Sequence, residues 1–318
     1  MKYNILVTGT GAIIGYGIIE SLRKSSYDLN IIAIDIYDHA YGRCIADKFY
    51  VGVPANSPGF IEFINGIIKK ENIHLVIPGI EQDLYALHEN FKKVLCPVVM
   101  NNDLCIELSK SKWNTFNYFK NNSGLQLIPT LYNAGYEECV SALGNPFLLK
   151  PISSYASKGI EIIKSKNDFD YFANRIENKC VFQKIISSVD NEYTISVFGD
   201  GKGNYFDSII LKRYLSRDGA TSRATVTESR PITNYLDTLV RLLKPLGPTN
   251  IQLRIENEQP YLLEINPRIS SACSIRTLFN YNEPVMCIRY YLTKEPIEVQ
   301  PKKMGTALRF IKDYIVNE

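Results

Sequence analysis

Strand and helix signals alternate through the first hundred residues, then give way to a succession of strands. Asn4–Thr8 is a short apolar run ending in Gly9-Thr10-Gly11, and Ile18, Ile19 and Leu22 then recur at helical spacing. Ile31–Ile34 is a second apolar run closed by Asp35. Phe60, Phe63, Ile64, Ile67 and Ile68 mark an amphipathic helix, and His74–Ile77 is a third strand stopped by Pro78-Gly79. Strands joined through helices by short loops require right-handed crossovers and a parallel sheet.

From about Ser111 the texture changes. A helix containing Trp113, Phe116 and Phe119 precedes turn signals around Pro129, and the strand Phe147–Lys150 runs into Pro151. After Cys180 come strand-like segments at Val181–Ile185, Glu192–Phe198, Tyr205–Leu211, Thr221–Thr227, Asn250–Ile255 and Tyr261–Ile265, interrupted by a helix near Asn234–Leu243. Consecutive strands with short connections predict an antiparallel sheet. The 318 residues suit two or three domains. We expect an α/β unit over 1–108, an α+β unit over 109–187 and a second over 188–318.

Composition narrows the classes of function. The 36 basic and 33 acidic residues leave a net charge of +3, too little to predict a nucleic-acid partner. No apolar run approaches the roughly 20 residues that span a bilayer, so no membrane partner is expected. The opening MKYNILVTG has no signal-peptide pattern. The seven cysteines include no CxxC, which points to a reducing cytoplasm. With three histidines and no HExxH, a histidine-rich metal site is not expected.

Two segments carry chemistry. Gly9, Gly11, Gly15 and Gly17 lie between a strand and a helix, where backbone N–H groups can meet an anion. A GxGxxG fingerprint would need glycine where Ile14 stands, although Asp35 ends the second strand where a ribose-binding acid would lie. Tight packing without a nucleotide is the competing reading. The second segment pairs Asn250-Ile-Gln-Leu-Arg254 with Tyr261-Leu-Leu-Glu-Ile-Asn-Pro-Arg268. Alternation sets Asn250, Gln252 and Arg254 on one face, with Glu264 and Asn266 beside them, and turns Leu263 and Ile265 to the core. With Glu256–Pro260 as the loop, Ile255 faces Tyr261 and Gln252 faces Glu264. Gln252, Glu264 and Asn266 are hard oxygen donors suited to Mg²⁺, and Arg268 can hold a phosphoryl group. A polar, solvated sheet face is the alternative.

Together these segments resemble the ATP-grasp superfamily, and within it single-chain proteins related to the carbamoyl phosphate synthase large subunit. The likeness rests on Leu263-Glu-Ile-Asn-Pro-Arg268 with Asn250-Ile-Gln252 upstream, on the opening VTGTGA, on Ile77-Pro-Gly79 and on Ser111-Lys112. It implies a Rossmann-like pre-ATP-grasp domain followed by a two-lobed ATP-grasp fold. It implies ATP and Mg²⁺ (or Mn²⁺) as cofactors, with Gln252, Glu264 and Asn266 as metal ligands. Lys112 and Lys150 would contact the nucleotide, and Ser153, Ser154, Ser157 and Gly159 would lie in a loop closing over the triphosphate. That loop has one glycine where relatives usually have two or three. Gln183, Lys184 and Ile185 would form the adenine hinge, Glu192 would accept from the ribose, and Lys212 would add a nucleotide contact. Arg268 would touch the transferred phosphoryl, and Arg276 would sit near the acceptor.

The resemblance implies a carboxylate–amine ligase. A substrate carboxylate would attack the γ-phosphorus, and an amine would then displace phosphate from the acyl phosphate. The expected partners are a small carboxylate and an amine, and a homodimer is compatible with the family. Specificity is expected near Glu81 and Arg276. Arg213, Arg217 and Arg223, read as lying around a loop after Leu211, either bind an anionic acceptor or form a solvated loop. Phosphoryl transfer without ligation, an NAD(P)-dependent oxidoreductase and a regulator without catalysis are the alternatives.

Overall fold

A computed structural model of the chain describes residues 1–120, 124–153, 159–175, 179–216, 219–310 and 312–315. The first sheet contains β1 (Tyr3–Val7), β2 (Leu29–Asp35), β3 (Lys48–Val51) and β4 (Leu75–Ile77), in the order β3-β2-β1-β4 and parallel throughout. Ile5, Leu6, Val7, Ile31, Ile32, Leu75, Val76 and Ile77 are all fully buried, because both faces are covered. The helix Phe60–Glu71 packs Ile64, Ile67 and Ile68 on one face. On the other face lie the helix Ile13–Leu22 and, from the end of the chain, the helices Cys273–Leu278 and Glu283–Cys287. β3 escaped the sequence reading because only four residues, two of them exposed, form it.

The second sheet contains β5 (Thr130–Tyr132), β6 (Phe147–Pro151), β7 (Glu161–Ile163) and β8 (Cys180–Lys184), antiparallel in the order β5-β8-β6-β7. Its core is aromatic, with Phe169 stacked on Phe182 at 5.1 Å and Phe147 edge-on to both. The segment after Cys180 therefore closes this sheet rather than opening the next one.

The third sheet contains β9 (Glu192–Asp200), β10 (Tyr205–Leu215), β11 (Thr221–Val226), β12 (Leu246–Glu256), β13 (Gln259–Asn266) and β14 (Thr306–Leu308). Its order is β13-β12-β9-β10-β11-β14, antiparallel throughout. The helix Arg230–Leu243, capped by Ser229, buries Ile232, Tyr235, Leu236, Leu239, Val240 and Leu243 against Ile195, Val197, Ile251 and Leu253. The opposite face packs Phe198, Ile209 and Leu211 against the elements flanking the first sheet, so one core joins the two.

The hairpin register differs from expectation in an instructive way. Asn257 and Glu258 both have positive φ, so the turn has two residues and Ile255 faces Pro260 rather than Tyr261. A bulge between Gln252 and Leu253 leaves Leu263 as the extra residue and restores the pairing of Gln252 with Glu264. Leu262, not Leu263, joins the core.

Candidate active site

The end of the third sheet that lies beyond the packed core is polar, and it faces a cleft of about 910 Å³. Arg213, Gln252, Glu264 and Arg268 line one side; Gly9, Gly11, Asp35, Glu81, Asp83 and Tyr85 line the other. A second, smaller cavity of about 50 Å³ adjoins it, lined by Lys112, Phe116, Thr130, Gln183, Leu263 and Glu264 among others. Glu81 and Glu264 border both cavities.

Strand alternation sets the hairpin side. Gln252 stands directly opposite Glu264, and Asn250 opposite Asn266. Among the described residues, the Glu264 side chain makes no hydrogen bond and no ion pair. Gln252 Oε1 accepts from Arg213 Nη2 at 2.7 Å, and Asn266 Oδ1 accepts from Arg268 Nη2 at 3.2 Å. Each amide oxygen keeps a second lone pair. The buried Asn266 Nδ2 has no partner, so this amide is incompletely satisfied by the protein. One open carboxylate flanked by amide oxygens fits a hard divalent cation that retains water and shares phosphate oxygens. Arg268 also pairs with Glu81 at 2.8 Å, which ties the hairpin to the opposite wall.

Lys150 comes from the other lobe, near the end of β6, and is 8 % exposed. No described residue gives it a hydrogen bond or an ion pair. Burial pushes its ammonium down to about 8, and the like charges of Arg254 and Lys112 add to this, opposed by Glu264 and Glu192. Lys112 opens the helix Lys112–Phe119, where Ser111 Oγ accepts from Asn114 N at 3.2 Å. Burial lowers its ammonium as well, against Glu264 and Glu81. Lys150, Lys112, Arg254 and Glu264, drawn from four segments, thus share one electrostatic neighbourhood.

Other expected site residues stand differently. Glu192 is buried, accepting from Arg213 Nε at 3.1 Å and Arg254 Nη2 at 3.1 Å, so its carboxylate is already claimed by two guanidinium groups. Ser153 Oγ donates to the Lys110 carbonyl at 2.6 Å, and Gly159 has a φ of +74° and lies against Pro151. Ser154 and Ser157 lie outside the described residues, as does Arg217. Gln183 lines the smaller cavity, with Nε2 donating to Thr130 Oγ1 at 2.9 Å. Lys184 N–H is taken by the Pro129 carbonyl at 3.0 Å, and neither Lys184 nor Ile185 lines either of these two cavities.

Four positions stand differently from expectation. Lys212 lies on the opposite face of β10 from Arg213, lines neither cavity and reaches Asn191 Oδ1 at 3.4 Å. Its neighbour Arg213 is the residue that enters the cleft, and it does so from within β10 rather than from a loop. Arg223 likewise belongs to β11, with its guanidinium 3.7 Å from the centre of the Tyr214 ring. Arg276 is fully buried, pairing with Glu283 at 3.2 Å and donating to Asn250 Oδ1 at 2.6 Å and Thr194 Oγ1 at 2.9 Å. It bonds the same face of the sheet as Gln252, deeper in the core at Asn250 and Thr194, and lines neither of these two cavities. Arg254 and Leu263 were not singled out as site residues. Alternation had already set Arg254 on the face of Gln252, whereas Leu263 reaches the smaller cavity through the bulge.

The glycine-rich start packs closely, and Gly9 and Gly11 also border the cleft. Asp35 Oδ2 accepts from Gly11 N at 2.7 Å and Oδ1 accepts from Tyr37 N at 3.0 Å. A Cβ on Gly15 would lie 2.5 Å from the Gly9 carbonyl oxygen, and one on Gly79 would lie 2.2 Å from that of Thr8. These glycines let β1, β4 and the helix Ile13–Leu22 meet closely.

Comparison with known proteins bears on the fold. Residues 189–314 match the family model described as "ATP-grasp in the biosynthetic pathway with Ter operon", and residues 5–99 match "PylC-like, N-terminal domain". A carbamoyl phosphate synthase large chain from Pseudothermotoga lettingae is 24% identical, over 82% of this chain and 26% of its own. A formate-dependent phosphoribosylglycinamide formyltransferase from Bacillus subtilis is 23% identical, over 83% and 70%. The chain therefore spans about a quarter of the first relative's length. The ATP complex of carboxyaminoimidazole ribonucleotide synthase from Aspergillus clavatus superimposes with a TM-score of 0.72 at 16% identity, covering 96% of this chain and 80% of that one. The ADP complex of the Staphylococcus aureus N5-carboxyaminoimidazole synthetase gives 0.71 at 18%, covering 97% and 81%. The resemblance to the ATP-grasp superfamily, and the fold it implied, are borne out.

Proposed function

We propose that this ATP-grasp chain is a ligase that activates a small carboxylate as an acyl phosphate at the expense of ATP and passes the acyl group to an amine. The observation that carries the reading is Lys150: a buried lysine with no hydrogen bond or ion pair among the described residues, beside Arg254 and Lys112 and only partly offset by Glu264 and Glu192. Burying an unpaired cation is costly unless a ligand of opposite charge completes the site. A triphosphate supplies that charge. The named relatives and structural neighbours include synthases and synthetases, and the two superimposed structures named above are complexes with ATP and with ADP.

In this reading Lys150 and Lys112 hold the phosphate chain, and the smaller cavity beside Gln183 and Leu263 receives the base. Glu264, with Gln252 and Asn266, would hold Mg²⁺, which when bound offsets charge on the β- and γ-phosphates. Arg268, steadied by Glu81, faces the transferred group. The substrate carboxylate oxygen attacks the γ-phosphorus while the bond to the β-phosphate oxygen breaks, and ADP departs. The amine then attacks the acyl carbon, phosphate leaves and the amine gives up a proton. Such chemistry depends on positioning and charge stabilisation.

Trapping tests this directly. With MgATP, a panel of carboxylates and hydroxylamine, the account predicts carboxylate-dependent ADP release matched by hydroxamate. Glu264→Ala should lower both rates by roughly a thousandfold. ADP release that yields a stable phosphorylated product and no hydroxamate would overturn ligation.

A further inference from the structure

The cleft wall opposite Arg213 and Arg268 is acidic, and its carboxylates are not equivalent. Glu81 is paired with Arg268, and Asp35 is engaged by two backbone N–H groups. Asp83 is 6 % exposed, lies in the helix Glu81–Glu89 and lines the cleft. No described cation pairs with it; its polar neighbour is the Thr8 hydroxyl. Burial pushes its carboxyl up to about 6. Apolar side chains surround this end of the cleft, among them Ile13, Ile36, Val53 and Ile80. An anionic or phosphorylated group seated there would meet Asp35 and Asp83 at low dielectric, whereas a cation would relieve their repulsion.

We propose that the acceptor enters the cleft with a primary ammonium on an apolar body, and that Asp83 is the specificity-determining residue that holds this ammonium. The inference rests on the ligase reading and names the acceptor class of the same site. It follows from the lining of one cleft: Arg213 and Arg268 among its basic residues, and a nearly buried carboxylate, Asp83, that has the Thr8 hydroxyl and no described cation beside it.

Binding of n-pentylamine, n-pentanol and O-phosphoethanolamine, measured calorimetrically on the full chain, tests it. Pentylamine should bind at least about tenfold more tightly than pentanol, and Asp83→Asn should erase that preference. Equal binding of amine and alcohol, tighter binding of the phosphorylated amine, or a preference that survives in Asp83→Asn would overturn it. The wild-type comparison decides the matter even if the variant does not fold. MgATP binding is measured in parallel. If it is intact while the amine preference is absent, only this inference fails; if it is absent, the nucleotide reading fails.

Discussion

Lys150 and Arg276 are both cations removed almost wholly from water, one near the end of β6 and one beneath Asn250 and Thr194 of the third sheet. Arg276 is matched by Glu283, Asn250 and Thr194, with Ser196 donating to the same Glu283 at 2.6 Å. Lys150 has like charges nearby and no described partner. The first arrangement carries its own counter-charge, although Arg276 Nε and Asn250 Nδ2 find no partner among the described residues. The second is complete only with an anion. Burial of a charge is therefore no sign of a site; burial without compensation is.

That contrast can be broken from either side. Arg276→Met leaves Glu283 as an uncompensated buried charge and should destabilise the fold by about 3–5 kcal/mol in denaturant unfolding. The double variant Arg276→Met/Glu283→Leu should recover most of the loss; if it recovers nothing, the pair is not what the core requires. Lys150→Met should leave unfolding unchanged or raise stability, while carboxylate-dependent ADP release falls by about two to three orders of magnitude. Equal damage to stability and rate would place Lys150 in the structural class with Arg276.

The smallest effect is one of pH. Lys150 titrates near 8 in the folded chain against a usual 10.5. Below pH 8 its charge opposes folding. Between about 8 and 10.5 the unfolded chain holds more protons, so stability rises with pH in that window. Attraction for phosphate runs the other way, and kcat/KM for ATP should fall as pH rises through about 8. Lys150→Arg stays charged and should remove that limb. A wild-type profile flat from 7 to 9.5 would show that Lys150 does not govern nucleotide capture.

Much of this was legible in the sequence because strand alternation is local. The pairing of Gln252 with Glu264 and the face shared with Arg254 follow from a period of two. The loop between them did not: a two-residue turn and a bulge at Leu263 each shift the register by one residue, and the shifts cancel. Hydrophobicity alone does not choose between Lys212 and Arg213 for the cleft side, because both faces of β10 pack apolar residues, Ile210 on one and Leu211 on the other. Arg276 owes its burial to Thr194, Asn250 and Glu283, from three separate segments, and no local pattern reports that meeting. Gly9–Gly17 read equally as a phosphate cradle or as close packing until the Asp35 carboxylate was found on Gly11 N.

The central claim is that buried Lys150, beside Arg254 and near Glu264, captures a nucleotide. Calorimetric titration of MgATP into wild type and Lys150→Met tests it most directly. The account predicts magnesium-dependent binding of ATP to wild type, weakened at least about tenfold in the variant, with the variant's own unfolding midpoint unchanged or higher. Equal affinity in both proteins, or no binding to wild type, would contradict it.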